Sequence, residues 1–294
     1  MLLKNKIVKT FIKLALSGLA VFLVFRKIDA QELWQIVKSA DWFCLLLAVA
    51  FFVLSKIATS LRLNIYFRNI GLYISEKENL FLYMKGMYYN LFLPGGIGGD
   101  GYKVYLLNKR YKVSVKKLLQ SVLLDRLGGL VSIVFLLLLF FLFIDVEEEI
   151  LQGFAWDYVS VALAILVFPA FYLIYLLFFK SFLDSFIGSN LYSLAGQLLQ
   201  IVSAYFILIA IGVDVNILEY QFVFLLSSIA AVLPLTIGGV GVRELVFIFS
   251  HEFIGIDKNT AVAFSLIFFL ISALVSFTGF FVKVANKLDR PEKA

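Results

Sequence analysis

The stretch LPGGIGGDGYK, residues 93–103, decides how this chain is read, because it occurs twice. Displaced by 140 positions, it lies without a gap on LPLTIGGVGVR, residues 233–243. Leu93, Pro94, Ile97, Gly98, Gly99 and Gly101 meet identical residues at Leu233, Pro234, Ile237, Gly238, Gly239 and Gly241, and Lys103 meets another cation, Arg243. Each copy follows one apolar run and precedes another, so each is a Pro/Gly break inside membrane-compatible sequence. Such a break strips hydrogen bonds from the backbone, and hydrocarbon cannot replace them. It is tolerated only where protein or a water-filled cavity supplies partners. Paired breaks at corresponding positions of two halves point to the binding site of a transporter.

Composition sets the frame around these breaks. The 294 residues are 62% hydrophobic and 16% charged, mean hydropathy is +0.96, and the apolar runs approach the roughly 20 residues a membrane-spanning helix needs. The fold class is therefore an all-α polytopic membrane protein. No polar segment reaches the roughly 50 residues of a soluble domain, so residues 1–294 read as a single membrane domain. The net charge of +6 does not imply nucleic acid, because the basic residues gather on loops of one side. Cys44 is the sole cysteine and His251 the sole histidine, read as an outer-loop residue, so neither an intrachain disulfide nor a His-rich metal site is available. No cofactor, metal or catalytic constellation is expected. Lys4, Lys6, Lys9 and Lys13 before an apolar run imitate a signal peptide. A small-residue cleavage site is missing and Arg26 and Lys27 follow, so the segment reads as a retained first span.

Spans are predicted at 7–25, 42–63, 114–144 and 155–179, with a fifth ending near Gly212 and a sixth at 259–283. Residues 29–40 alternate at helical spacing, with Leu33, Trp34 and Val37 on one side, and read as an interfacial helix. Pro169 is expected to kink the fourth span. Residues 182–200 are too mixed in polarity to place the start of the fifth. Ser75 with Glu78 begins a helix that runs to the Pro94 break, and the arm beyond Gly99 is too short to cross a core of about 30 Å. Segment 75–110 is therefore predicted to re-enter, and 219–254 is its counterpart. Six spans plus two re-entrant hairpins form an inverted-topology repeat, with half-repeats 1–150 and 151–294. An alternative of about eight spans counts each hairpin's first arm as a crossing.

Charge supports the first count. Of 26 Lys and Arg, only Arg26, Lys27, Lys38 and Lys258 fall on the outer side, and Lys56, Lys85, Arg126 and Arg243 fall within membrane segments. The remainder, Arg62 and Lys103 among them, are assigned to the cytoplasmic side, which puts both termini there. Lys56 is expected to snorkel to the headgroups beside Arg62.

Where each break hands over to its second arm, the first N–H groups of a new helix lie unpaired, and helix N-termini of this kind bind anions. Gly98, Gly99 and Lys103 in one copy, and Gly238, Gly239, Gly241 and Arg243 in the other, are the candidate headgroup site, with Asn90 beside the first tip. Tyr88 and Tyr89 read as packing aromatics. Intramembrane acids are expensive, so Asp100, Asp125 and Glu244 are candidate gating or coupling groups and Arg126 an ion-pair partner. Adjacent residues splay by about 100° on a helix, so partners are sought on other segments, and a pairing of Asp125 or Asp100 with Arg243 is expected.

These residues carry a resemblance. Asn90 with Leu93-Pro94-Gly95, Gly98-Gly99-Asp100, Asp125-Arg126, and Pro234 with Gly238-Gly239, Gly241 and Arg243-Glu244 resemble the lysylphosphatidylglycerol synthase transmembrane family, the flippase-like domain. The resemblance covers nearly the whole chain. It implies an inner- or plasma-membrane protein tied to lipid translocation or lipid-linked glycan assembly. Its partners would be membrane lipids, anionic or phosphate-bearing, with a glycosyltransferase or lipid-modifying enzyme as a further candidate. Lys103 stands where the family more usually has arginine, which weakens bidentate phosphate recognition. The soluble aminoacyl-transferase domain of bifunctional members is absent from this sequence, so lysyl transfer is not implied. The expected function is translocation of an anionic lipid between the hairpin tips. The alternatives are an intramembrane enzyme using Asp100 or Asp125 as base, and an accessory subunit of a glycosyltransferase.

Overall fold

The computed structural model describes residues 30–92, 98–144, 156–232 and 241–282, and among them every regular element is helical. In chain order these are α1 (Ala30–Ser39), α2 (Trp42–Asn69), α3 (Glu76–Phe92), α4 (Gly98–Tyr111), α5 (Val115–Phe141) and α6 (Trp156–Phe178). A 3₁₀ turn, Lys180–Ser185, then leads into α7 (Phe186–Ala210), and α8 (Ile217–Val232), α9 (Val242–Ile254) and α10 (Lys258–Phe277) follow. Five of these, α2, α5, α6, α7 with its 3₁₀ lead-in, and α10, are long and apolar enough to cross a membrane. The expected first span lies outside the described residues, as do the break loops 93–97 and 233–240 with Gly238 and Gly239.

Local chemistry sets the helix ends. The Asp41 carboxylate accepts from the Phe43 amide at 2.7 Å to open α2, and Asp257 does the same for Thr260 at 2.7 Å to open α10. Ser75 Oγ accepts from the Glu78 amide at 3.2 Å, as the capping-box spacing predicts. The α6 helix continues through Pro169.

The organising contact is between α2 and α7, which run antiparallel. Arg62 donates to Ser193, Lys56 to Gln200, Ser203 to the Ala48 carbonyl, and the Asp41 amide to the Ala210 carbonyl. Small residues let these backbones approach: a Cβ on Gly196 would lie 3.3 Å from Thr59 Oγ1.

Each of the pairs α3/α4 and α8/α9 is a closed hairpin. Glu78, at the start of α3, bonds Arg110 and, at 3.0 Å, the Tyr111 hydroxyl at the end of α4. Asn216, just before α8, donates to the Gly255 carbonyl just after α9 at 2.9 Å. The first base sits at the C-terminal end of α2, where Asn64 donates to the Ile74 carbonyl at 3.2 Å. The second follows the C-terminal end of α7. Because α2 and α7 are antiparallel, the two bases lie at opposite ends of the bundle.

Apolar packing is divided accordingly. One cluster joins Ala48 and Phe52 to Ile207, Phe224, Phe247 and Phe264, while another joins Leu63 and Phe67 to Leu82, Leu107 and Leu118. Between them along α2 lie Ser55, Lys56, Thr59, Ser60 and Arg62, so a polar layer crosses the middle of the molecule. Outward, large apolar side chains such as Ile165, Leu173 and Phe178 of α6 are exposed, as a lipid-facing surface requires.

Candidate functional site

The N-terminus of α4 meets α5 and α2 at a cluster of charges. Asp100, in the first turn of α4, accepts from Lys103 Nζ at 3.1 Å and from the Arg126 guanidinium of α5. One residue before Arg126, Asp125 accepts from Arg62 Nε at 2.7 Å, and Arg62 also reaches Ser193 Oγ at 3.0 Å. Asp125 and Arg126, about 100° apart on one helix, thus tie α5 to two different partners. Glycine makes room for this: a Cβ on Gly129 would stand 3.4 Å from the Arg62 guanidinium.

These groups line a cavity of about 190 Å³. The predicted residues Asn90, Asp100, Lys103, Asp125 and Arg126 are all brought to it, with Tyr83, whose ring centroid lies 4.6 Å from Lys103 Nζ, and Gln197. Val232, the last residue of α8, also lines it, so the first arms of both hairpins end beside the same space. Three cations face two carboxylates there, in surroundings where Arg62 and Lys103 are each only 4% exposed.

Several expectations are corrected. Asp125 pairs with Arg62, and Asp100 with Lys103 and Arg126, rather than with Arg243. Arg243 instead donates to Ser228 Oγ at 3.2 Å and packs against the Phe268 ring, 5.2 Å from its centroid. Arg62 and Lys103, assigned to the cytoplasmic side by the charge count, are both buried and ion-paired. Lys56 does not snorkel. It lies midway along α2 and turns inward to donate to Gln200 Oε1 at 3.3 Å. His251 belongs to the last turn of α9 rather than to a loop.

The helix N-termini are not bare either. The Gly99 amide donates to Asn90 Oδ1 at 2.7 Å, and the Gly241 amide donates to Glu244 Oε2 at 2.7 Å. Glu244 Oε1 accepts from Ser265 Oγ of α10 at 2.8 Å. In the second hairpin a carboxylate of the chain itself therefore occupies the anion position, while in the first a neutral amide caps one N–H and the cations carry the positive field. Gly99 has a packing role besides: a Cβ there would run into the Gly86 carbonyl of the facing arm.

Sequence reasoning missed Arg62, Tyr83, Gln197 and Gln200. A signal existed for two of them, Arg62 and Gln200. Ser55, Thr59 and Arg62 on α2, and Ser189, Ser193, Gly196, Gln200 and Ser203 on α7, recur at spacings of three and four, the stripe of a buried helix contact.

A helical, multi-pass membrane protein with paired broken hairpins about a charged interior cavity is the class that this architecture defines. Within that class the chain belongs to the family of the lysylphosphatidylglycerol synthase TM region, which it matches over residues 10–279. It is also similar to the UPF0104 membrane protein MJ1078 of Methanocaldococcus jannaschii, with 26% identity over 231 residues, covering 70% of this chain and 98% of that protein.

Proposed function

We propose that this protein is a flippase that moves an anionic lipid headgroup through the polar layer between the two hairpin tips. The observation that carries the reading is the cavity in which Arg62, Lys103 and Arg126 face Asp100 and Asp125, a net positive space inside a membrane protein. Intramembrane charge is expensive and marks substrate pathways. Arms of 17 and 14 residues in the first hairpin span about 26 and 21 Å, short of a core of about 30 Å, and this supports re-entry. Hairpin bases at opposite ends of an antiparallel helix pair support an inverted repeat, the architecture that opens a midplane site to each side in turn. In this arrangement six spans and two re-entrant hairpins place both termini in the cytoplasm of a cell-membrane protein. Asp100 and Asp125 then act as coupling groups, releasing their cations to the headgroup as it arrives.

Translocation of a fluorescent anionic phospholipid in proteoliposomes tests the reading. Lys103→Ala and Arg126→Ala are each expected to slow it by about tenfold or more, since an interior charge is worth several kcal/mol. Lys85→Ala serves as control, because Lys85 donates to the Phe280 carbonyl at 3.2 Å and does not line the cavity. Equal rates in all variants overturn the site. Covalent change of the lipid, seen by mass spectrometry, would replace the transporter by an enzyme, and transport that requires a copurifying partner would make the chain an accessory subunit.

A further inference from the structure

The cavity that gathers the charges also has an apolar wall. Leu130 and Ile133 of α5, Met87 of α3 and Val232 of α8 line it together with the ionised side chains. A free anion has no use for such a wall. A lipid does, because its headgroup cannot enter without its tails, and the tails need an apolar way out.

The same wall continues beyond the cavity. Arg126, Leu130, Ile133, Leu137 and Phe141 recur at spacings of three and four and form one face of α5. Val232, Ile229, Leu225 and Phe222 do the same on α8, read in the opposite direction. The two faces meet. Ile133 and Leu225 share a buried cluster against which Leu137 and Ile229 pack, and the rings of Phe141 and Phe222 lie 6.2 Å apart. At the far end of this seam is a second cavity of about 190 Å³, walled by Leu137 and Phe141 of α5, Trp156 and Leu163 of α6, and Phe222 of α8. Its surface is wholly apolar, and the hydroxyl of Ser160 in its lining is already committed to the Leu138 carbonyl at 2.7 Å. Trp156 and Leu163 are 41% and 48% exposed, so the groove opens sideways toward lipid.

We propose that the α5/α8 seam and the groove at its end form a tail subsite, in which one acyl chain lies while the headgroup of the same lipid sits beside Lys103 and Arg126. This rests on the translocation reading and adds the part of its site that takes hydrocarbon. The length agrees: from Leu130 to Phe141 α5 rises about 16 Å, roughly half of a core of about 30 Å, the depth that one chain fills in its own leaflet. Moving a chain from the bilayer into the groove exchanges one apolar surrounding for another and gains little by itself. The charged cavity therefore selects the lipid, and the groove fixes the direction in which its tail leaves.

The test uses the full chain in proteoliposomes of unlabelled phosphatidylcholine. Trace phosphatidylglycerol or phosphatidylcholine is added, each with one acyl chain ending in a photoactivatable diazirine, and the labelled peptides are mapped by mass spectrometry after illumination. Phosphatidylglycerol is expected to label residues 137–141 and 156–163 about tenfold more than phosphatidylcholine, because the charged cavity holds only the former. Leu137→Trp fills the groove and is expected to lower both this labelling and the rate of translocation. Leu173→Trp, on the exposed face of α6 outside the groove, is expected to change neither. Equal labelling of these segments by the two lipids in the wild type makes the groove ordinary bilayer-facing surface and overturns the tail subsite. That comparison is decisive even if a variant fails to fold. Translocation of phosphatidylglycerol without preferential labelling overturns the subsite and leaves the flippase standing. Preferential labelling without protein-dependent translocation keeps the subsite and overturns the flippase reading.

Discussion

At the scale of single residues, the pair Arg62–Asp125 shows what a charge does inside a membrane protein. Their side chains are 5% and 8% exposed, and each satisfies the other at 2.7 Å. Removing one partner strands the other charge. Asp125→Ala is expected to destabilise the protein by about 3–5 kcal/mol, while the double change Arg62→Met with Asp125→Leu costs much less, because it removes both charges. Thermal unfolding in detergent measures both, and equal losses in single and double variants would mean that the pair is not what holds α2 to α5. Glu244 poses a milder case. Glu244→Ala leaves the Gly241 amide and the Ser265 hydroxyl without their acceptor, an expected loss of about 1–2 kcal/mol in the same assay. That these acids needed partners was legible from their place in apolar sequence. Who the partners were was not, since residues 63 positions apart are brought together only by the packing of α2 on α5.

At the scale of the element, the hairpins rest on glycines that look alike in sequence and differ in space. Gly99 backs onto the Gly86 carbonyl, so Gly99→Ala is expected to pry α4 from α3 at a cost of about 1–3 kcal/mol. Gly101, two residues on, has nothing near its missing Cβ, and Gly101→Ala is expected to be neutral or slightly stabilising through helix propensity. Its repeat partner Gly241 has φ +84°, and Gly241→Ala is expected to cost about 1 kcal/mol. Melting temperatures of the three variants rank them; a neutral Gly99→Ala would deny the close approach of the two arms. The hairpins themselves were legible from the repeated break. The start of α7 was not, because the mixed polarity of residues 182–200 hid a coherent face: Ser189, Ser193, Gly196 and Gln200 turn toward α2, with Ile187, Leu191 and Leu198 exposed to lipid.

At the scale of the whole molecule, the arrangement of the hairpins makes a topological prediction. With native Cys44 replaced by serine, cysteines placed at the exposed positions Tyr73 and Lys112, either side of the first hairpin, are expected to react with a membrane-impermeant maleimide from one face. A cysteine at the exposed Val215, at the base of the second hairpin, is expected to react from the other face. Labelling of Tyr73→Cys and Lys112→Cys from opposite faces would make the hairpin a crossing and support the count of about eight spans.

Sequence by itself determined that this is a helical membrane protein with two related broken segments, because hydropathy, glycine and proline act locally and leave their mark wherever they stand. Of the longer list of candidate residues it marked, the fold brings Asn90, Asp100, Lys103, Asp125 and Arg126 to one cavity. Only the tertiary structure decided which cation meets which acid, that Lys56 and Arg62 face inward, and that Glu244 fills the N-terminus that its counterpart Val104 cannot. The reason is physical: helix periodicity fixes the angle at which a side chain leaves its own axis, whereas its partner depends on the depth and rotation of every neighbouring helix.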